Sequence, residues 1–381
     1  HATTPVDPAV MAAMQPYFSE MFGNAASKNH AFGREASDAV EQARAQVAGL
    51  IGAAPGEIVF TSGATESDNL AVKGVAQHQD GSGHHIITLT TEHKAVLDPC
   101  ASMHGDGFDV TYLEVGESGL VDLHLLERAI TDRTILVSVM HANNEIGVIQ
   151  DVGEIGALCR RRGISFHVDG AQSVGKIPVD VKGLNIDLLS ISGHKIYAPK
   201  GIGALYVRRG KPTLRLQPQI DGGGHERGLR SGTLPVPLIV GLGEACEISG
   251  REMKTEGIRL GALRDRLVAE LQSGLDGVGL NGDAATRLPG NANLSFGQVD
   301  AEALLQELPH IALSTGSACT TANLEPSHVL RALGLDHETS LSSVRFGLGR
   351  FTTEEEVATT IQDVMAAVKR LRDKSLLRDL L

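Results

Sequence analysis

Two side chains of opposite charge stand at the ends of apolar runs in this chain of 381 residues. Asp169 follows the run Ser165–Val168, and Lys195 comes 26 residues later, shortly after Leu188–Ser192. A carboxylate that ends a buried strand is costly unless a cation pairs with it, and either a protonated pyridine nitrogen or a metal ion meets that need. A lysine at such a place can become a nucleophilic amine through burial, although a surface position is the usual explanation for a single lysine.

A small-residue segment, S-G-A-T-E at 62–66, lies between a predicted strand and a predicted helix. Its backbone N–H groups suit a phosphate, and the alternative is an ordinary turn with an N-cap. His93 follows another predicted strand, and a structural hydrogen bond is the commoner role of a lone histidine. An anion cradle, a carboxylate for the ring nitrogen and a lysine are together the groups that pyridoxal phosphate requires.

Cys319 lies in the segment S-T-G-S-A-C-T-T-A-N at 314–323, which is small, polar and without periodicity. The pattern predicts a mobile loop, and exposure beside positive charge would make its thiol reactive, the alternative being a neutral surface cysteine. The other cysteines, Cys100, Cys159 and Cys246, lie in or near helical patterns and are predicted to be structural. No C-x-x-C pair is present, which argues against a zinc cage or a disulfide framework.

Two further polar residues could contact a substrate. Arg345, within the strand-like run S-V-R-F-G, could hold a carboxylate with two hydrogen bonds or simply form an ion pair. Asn144 follows the apolar run Ile135–Met140 and is ambiguous by itself.

The elements that must position these residues alternate along the chain between short apolar runs and helical patterns. This alternation predicts an α/β fold with a mostly parallel sheet flanked by helices. We predict strands at Glu57–Phe60, His85–Thr90, Ile135–Met140, Ser165–Val168, Leu188–Ser192 and Gly203–Val207, with helices at Ala39–Leu50, Glu66–Ala76 and Val152–Arg162. Ligands of open parallel sheets bind beyond the carboxyl ends of the strands, which is where the polar residues stand.

A long charged helix at about 241–273 predicts a domain boundary. We expect a large domain at 5–253 and a smaller α+β domain at 254–381, which with the N-terminal segment carries the Cys319 loop. Strands are predicted there at Asn293–Phe296 and Ser343–Phe346. The last helix should begin with a capping box formed by Thr353 and Glu356.

The composition excludes several classes of protein. Apolar residues make up 42% and charged residues 21%, as in an ordinary soluble chain. The net charge of −12 argues against nucleic acid as a direct partner. No apolar run reaches the roughly 18 residues of a membrane span. We therefore expect a cytoplasmic protein without a membrane contact.

Taken together, these motifs resemble the cysteine desulfurases of the IscS/NifS kind, which are class-V aminotransferase-like enzymes of fold-type I that use pyridoxal phosphate. The resemblance runs essentially end to end. It rests on A-T-T-P-V-D at 2–7, F-T-S-G-A-T-E-S-D-N at 60–69, T-E-H-K-A-V-L at 91–97, N-N-E-I-G at 143–147, S-G-H-K-I-Y at 192–197, G-G-G-H-E-R-G at 222–228, R-S-G-T at 230–233, T-G-S-A-C at 315–319 and L-E-P-S-H-V-L-R-A-L-G at 324–334.

The resemblance implies a role for each candidate residue. Lys195 would hold the cofactor and shuttle the substrate Cα proton, Asp169 would keep the pyridine nitrogen protonated, and Cys319 would take the substrate sulfur as a persulfide. His93 would stack on the ring and assist proton transfer, and Gln172 would bond the ring hydroxyl. The remaining implied contacts are to the phosphate, from Ala64, Thr65, Ser192, His194 and the other subunit's Thr233, and to the substrate carboxylate, from Asn144 and Arg345.

The implied partners are a second copy of the chain in a homodimer, L-cysteine, and an iron–sulfur scaffold protein or other persulfide acceptors, including those of tRNA thiolation. Cys319 could also serve as a transient ligand of an iron–sulfur cluster. Three rival functions remain open: an aminotransferase or selenocysteine lyase, a metal-dependent oxygenase using His167, Asp169 and His194, and a non-catalytic sulfur carrier.

Overall fold

A seven-stranded sheet organises the larger part of the chain in the computed structural model, which describes residues 2–78, 83–210, 213–315 and 326–379. The order of the strands is β1-β7-β6-β5-β4-β2-β3. Only β7 runs antiparallel to its neighbours among these described strands. The strands are β1 (Ile58–Thr61), β2 (His85–Leu89), β3 (Asp109–Leu113), β4 (Thr134–Met140), β5 (Ser165–Asp169), β6 (Leu188–Ser192) and β7 (Gly203–Val207).

Helices cover both faces of this sheet, which is why its central strands are apolar almost throughout. The helices of this part are α1 (Pro8–Met14), α2 (Pro16–Ser19), α3 (Ala31–Leu50), α4 (Ala64–Gln77), α5 (Lys94–Gly105), α6 (Leu123–Ala129) and α7 (Val152–Arg162). In β2, Ile87 and Leu89 belong to one buried cluster and Ile86 to another. Alternate residues of one strand thus enter opposite cores, as the period of two requires.

A second sheet lies in the C-terminal part, with the order β10-β11-β9-β8 and antiparallel pairing. Its strands are β8 (Val278–Leu280), β9 (Asn291–Phe296), β10 (Ser314–Thr315) and β11 (Ser343–Gly347). The accompanying helices are α9 (Ala301–Glu307), α11 (His337–Leu341) and α12 (Glu354–Asp379). Phe296, Phe346 and Leu271 lie in its buried core. Helix α10 (His328–Ala332) belongs to the same part of the sequence but packs in the core of the large sheet, through Val329 and Leu330.

One long helix, α8 (Val236–Gly274), contributes to both cores. Its residues up to Ile248 pack in the core of the large sheet, whereas those from Leu263 pack in the core of the small one. The predicted domain division at 253/254 falls between these two points and stays a prediction. Among the described residues, no helix is long and apolar enough to cross a membrane.

The predicted strands and helices are present, with differences at their ends. Helix α3 begins at Ala31, eight residues before the prediction, because the His30 ring accepts a hydrogen bond from the Gly33 N–H and caps it. Strand β3 was not predicted, since it is a partly exposed edge strand with no continuous apolar run. The capping box of α12 is confirmed by the bonds between Thr353 and Glu356 at 2.9 and 3.1 Å.

Gly203 of β7 lies close to the backbone of the turn that follows β1. A Cβ atom at this position would lie 2.4 Å from the Ile191 carbonyl oxygen and 2.7 Å from Gly63 Cα. Gly203→Ala should therefore lower the free energy of unfolding by about 2 kcal/mol, measured by urea denaturation. Gly49→Ala is the matched control: it meets nothing within 4 Å in α3 and should leave stability equal or slightly higher. Equal stability of both variants would contradict the prediction.

Candidate active site

The polar residues that follow β1, β2, β5 and β6 line one cavity of about 610 Å³. The cavity lies beyond the carboxyl ends of the parallel strands, as the topology predicts. Its lining includes Ala64, Thr65, His93, Asn144, Asp169, Gln172, Ser192, His194, Lys195 and Arg345. The structure therefore brings together residues that are up to 281 positions apart, from Ala64 to Arg345.

The turn from β1 into α4 forms an open helix N-terminus at one end of the cavity. Gly63 has φ +153° and ψ 178°, a conformation that suits only glycine, and it directs the chain into the helix. In the part of the chain that the structure describes, no side chain caps this end of α4. The N–H groups of Ala64 and Thr65 thus remain available to an anion, which the helix dipole also favours.

Asp169 ends β5 and is buried, with Oδ1 accepting a 2.9 Å bond from the Ala171 N–H. Burial raises the pKa of Asp169, while that hydrogen bond and the positive charge of Lys195 oppose the rise. A carboxylate in this position is stabilised by a cation within the cavity.

Two more carboxyl groups lie buried near Asp169. Burial raises the pKa of Asp68 and of Glu92 well above the usual range, and the charge of Asp169 raises both further. His167 Nε2 lies 3.5 Å from Asp68 Oδ1, but burial lowers the pKa of this histidine to about 3, so it brings no positive charge. Burial thus disfavours the ionised forms of Asp68 and Glu92, whereas Asp169 has the positive charge of Lys195 near it.

His93 is the N-cap of α5, where its Nδ1 accepts a 3.1 Å bond from the Ala95 N–H. Burial lowers the pKa of His93, so the ring is neutral and its proton is on Nε2. Nε2 of His93 is therefore the hydrogen-bond donor of the ring.

Lys195 ends a short 3₁₀ turn, Gly193–Lys195, directly after β6. Its Nζ contacts the Ala2 carbonyl oxygen, and the neighbouring His194 Nδ1 lies 2.9 Å from Thr3 Oγ1. Burial and nearby lysines lower the pKa of His194 to about 4, so its ring is neutral. The N-terminal segment thus lies against the lysine side of the cavity.

Arg345 of β11 also lines the cavity. Its guanidinium donates to Ser314 Oγ at 3.0 Å and to the Asn144 carbonyl oxygen at 2.6 Å. Asn143, the neighbour of Asn144, is structural, because its side chain bonds the Thr91 carbonyl and the Glu145 N–H. The cavity thus contains an arginine in addition to the phosphate-type turn.

The chain matches the model of the class-V aminotransferases over residues 1–359. It belongs to that family. A cysteine desulfurase IscS of Anaeromyxobacter sp. (strain Fw109-5) is 56% identical over 375 residues, which are 98% of this chain and 93% of that relative. Among solved structures, a NifS-like protein matches with a TM-score of 0.90 and 36% identity over 97% of both chains. SspA in complex with cysteine matches with a TM-score of 0.80 and 39% identity, over 92% of this chain and 98% of that one.

Within the family, the chain belongs with the cysteine desulfurases, which are enzymes that depend on pyridoxal phosphate, and the predicted fold-type I architecture is confirmed. The cavity fits this cofactor on its own chemistry. Uncapped N–H groups after Gly63 suit the phosphate, the buried Asp169 suits a protonated ring nitrogen, and Lys195 lies in the same cavity. This agreement of donor set and charge does not depend on the comparisons.

Two of the predicted site residues are not among the residues that the structure shows lining this cavity. Cys319 lies in 316–325, outside the described residues, and so does its predicted cluster-ligand role. Of the predicted loop at 314–323, the described residues Ser314 and Thr315 instead form strand β10 beside β11. Thr233 is exposed and is absent from the cavity lining, while Arg230 in the same segment bonds Glu66 in the first turn of α4 at 2.8 Å. The roles of both residues stay predictions.

The cysteines predicted to be structural are buried in this desulfurase. Burial raises the pKa of Cys100, Cys159 and Cys246 to about 12 in each case, so these thiols are protonated and inert.

The ligand set of the oxygenase alternative is absent, because no group of three His, Cys, Asp or Glu among the described residues is arranged to hold a metal. His167 is instead held between Ser138 and Ser190.

Sequence reasoning missed three groups that line or border the desulfurase cavity: Asp68, Glu145 and His328. Asp68 lies in a sequence with helical periodicity. A charged residue on the buried face of that helix was the signal that could have identified it. Glu145 accepts a 2.5 Å bond from Ser327 Oγ, and His328 Nε2 lies 3.0 Å from the Glu92 carbonyl oxygen. Both contacts join distant segments, so no local pattern reveals them.

Glu145 should make the stability of the apoenzyme depend on pH. Burial raises its pKa to about 7, against the bond from Ser327 and the charge of Arg345. The carboxyl of Glu145 has a pKa of about 4.5 in the unfolded chain and of about 7 in the folded protein. Its contribution to the free energy of unfolding is therefore most favourable below pH 4.5, and it is lost as the pH rises through 7. Glu145→Gln should thus be more stable than the wild type at pH 8, by on the order of 2 kcal/mol, with a smaller difference at pH 5.

The measurement is urea unfolding of both proteins at pH 5 and pH 8. Glu35→Gln, at an exposed position of α3, is the matched control and should show no such pH-dependent difference. A Glu145→Gln difference that is the same at both pH values would contradict the predicted ionisation.

Proposed function

We propose that this chain converts free L-cysteine to L-alanine, with the sulfur left on Cys319 as a persulfide. The observation that carries the proposal is that the phosphate-type turn, Asp169 and Lys195 line the same cavity as Arg345. This arrangement supports a cofactor site next to a site for a substrate carboxylate. SspA, which is 39% identical to this chain, was solved in complex with cysteine, and this supports the choice of substrate.

The cofactor would be held by groups along the whole cavity. Ala64 and Thr65 would bind its phosphate through their N–H groups, together with Ser192 and His194. Asp169 would hold the proton on the ring nitrogen, and His93 would pack on the ring. The remaining contacts are Gln172 to the ring hydroxyl and Lys195 to the aldehyde carbon. When bound, pyridoxal phosphate supplies an electron sink for the bonds at the substrate Cα.

The protein's own residues then carry out the positioning and proton transfer. Arg345 and the Asn144 side chain bind the substrate carboxylate and turn the Cα proton towards Lys195 Nζ, which accepts it. Cys319 attacks the substrate sulfur as a thiolate, forming an S–S bond as the Cβ–S bond of the substrate breaks. The electron pair of that bond returns to carbon, which takes up a proton. No external oxidant is needed, because one thiol and one cysteine give one persulfide and one alanine.

The enzyme works as a homodimer in this proposal, with Thr233 of each copy reaching the phosphate in the other. Its exposure, on a segment fixed to α4 by Arg230 and Glu66, is what supports this assignment. The persulfide then passes to an acceptor, for which the IscS relatives favour an iron–sulfur scaffold protein, with tRNA thiolation as the alternative. Cys319 would also serve as a transient ligand of an iron–sulfur cluster during that transfer.

Replacement of Cys319 distinguishes a desulfurase from an enzyme in which this thiol takes no part in the reaction. Wild-type holoenzyme given L-cysteine and a reductant should release alanine and sulfide in equal amounts, and Cys319→Ser should release neither. Cys246→Ala is the matched control, because this buried thiol has a pKa of about 12 and should not react. Turnover that survives in Cys319→Ser would favour the aminotransferase or selenocysteine lyase alternative.

Replacement of Asp169 tests the charge at the ring nitrogen. Asp169→Asn keeps the shape but removes the carboxylate, and alanine formation should fall by about 100-fold or more. The control is Asp132→Asn, at an exposed position, which should keep full activity. The rates are compared at equal cofactor content, and an Asp169→Asn rate within threefold of the wild type would be evidence against the role.

A further inference from the structure

A second cavity, of about 280 Å³, adjoins the first and shares the walls formed by Asn144, Gln172, Lys195 and Arg345. Lys176 lines only this second cavity. It lies seven residues after Asp169, in the turns that follow β5. No role in the proposed reaction has used this lysine so far.

Lys176 occupies an environment that does not favour its charge. Burial, together with the positive charges of Lys195 and Arg345, lowers its pKa to about 7. Within the described ranges, no carboxylate forms an ion pair with it: Glu256 lines the same cavity but bonds Arg350. A methionine of similar length would be less costly at this place. A stability role therefore does not account for a lysine here.

The contact that Lys176 makes is with the amide of Gln172. Its Nζ donates to Gln172 Oε1 at 2.9 Å. In its protonated form Lys176 can only donate, so the amide atom that faces it is then the oxygen. Gln172 lines both cavities, and this bond leaves its NH₂ group available for a partner other than Lys176.

The backbone that carries Lys176 is held in a tight turn. The N–H of Val174 bonds the Gly170 carbonyl at 3.0 Å, and that of Lys176 bonds the Ser173 carbonyl at 3.0 Å. Gly175 has φ +76°, and a Cβ there would lie 2.8 Å from Ile196 Cγ2. The turn that carries both Gln172 and Lys176 is thus packed closely against the residue that follows Lys195.

We propose that Lys176 is a positioning residue that holds the Gln172 amide with its NH₂ group directed at the ring oxygen of the cofactor. The inference rests on the proposed contact between Gln172 and that oxygen. With an apolar residue at 176, the amide is free to rotate, and its oxygen then faces the ring oxygen for part of the time. Two facing oxygens repel each other, so cofactor binding weakens and the electronic state of the ring changes.

A double-mutant cycle on the full chain tests this coupling. Apoenzymes of the wild type, Lys176→Met, Gln172→Leu and the double variant are titrated with pyridoxal phosphate, and the dissociation constant and the visible absorption maximum are recorded. Lys176→Met should weaken binding about tenfold and shift the maximum. In the Gln172→Leu background, the same substitution should change neither quantity, because the amide through which it acts is gone.

The outcomes separate the inference from the proposal on which it rests. If Gln172→Leu binds the cofactor like the wild type and keeps its absorption maximum, the contact of Gln172 with the ring is wrong. If Gln172→Leu is impaired but Lys176→Met is not, or if the two effects are additive, the positioning role of Lys176 is wrong. Lys182→Met, at an exposed lysine six residues further on, is the matched control and should behave as the wild type.

Discussion

The buried carboxylate of Asp169 is the constraint on which the rest of the site depends. A charged group with only 5% of its surface exposed is unstable unless a cation lies beside it. Lys195 brings a positive charge to this region, whereas the buried acids Asp68 and Glu92 bring none. A protonated ring nitrogen of the bound cofactor would balance the carboxylate of Asp169 directly.

The order of the strands brings Lys195 close to Asp169, and this requires no flexible segment. Strands β5 and β6 are parallel neighbours in which Asp169 pairs with Ser190, so both chains leave the sheet at the same edge. Lys195 follows five residues after Ser190, at the end of a tight turn. The antiparallel strand β7 then returns beside β6, and Gly203 lets the turn at Gly63 approach its backbone. Lysine, carboxylate and anion cradle are therefore fixed by strand order and close packing.

The residues that sequence alone could predict are those whose chemistry coincides with a local signal. Asp169 and Lys195 follow strongly apolar strands, so their position at the sheet edge follows from the topology. Glu145 is buried against segments far away in the chain, and Lys176 lies near the charges of Lys195 and Arg345, so no local signal reveals either residue. Strand β3 was missed for the opposite reason, since an exposed edge strand needs few apolar residues. Local periodicity thus predicts where the catalytic edge lies, but tertiary contacts decide which neighbouring side chains are buried there.

The end of the cavity at Arg345 is built from both sheets, and this explains how one arginine can be held accurately so far from Lys195 in the chain. Arg345 of β11 donates to the Asn144 carbonyl oxygen at 2.6 Å, and Asn293 of β9 donates to the Glu145 carbonyl oxygen at 3.3 Å. Both bonds join the small sheet to residues 143–147, in the loop after β4 of the large sheet. Ser327, at the start of α10 on the large-sheet side, donates to the Glu145 carboxyl at 2.5 Å. Any shift between the two sheets would have to break the first two bonds, which is costly because their groups would lose their partners. The position of Arg345 relative to Lys195 is consequently set by the junction between the sheets rather than by either sheet alone.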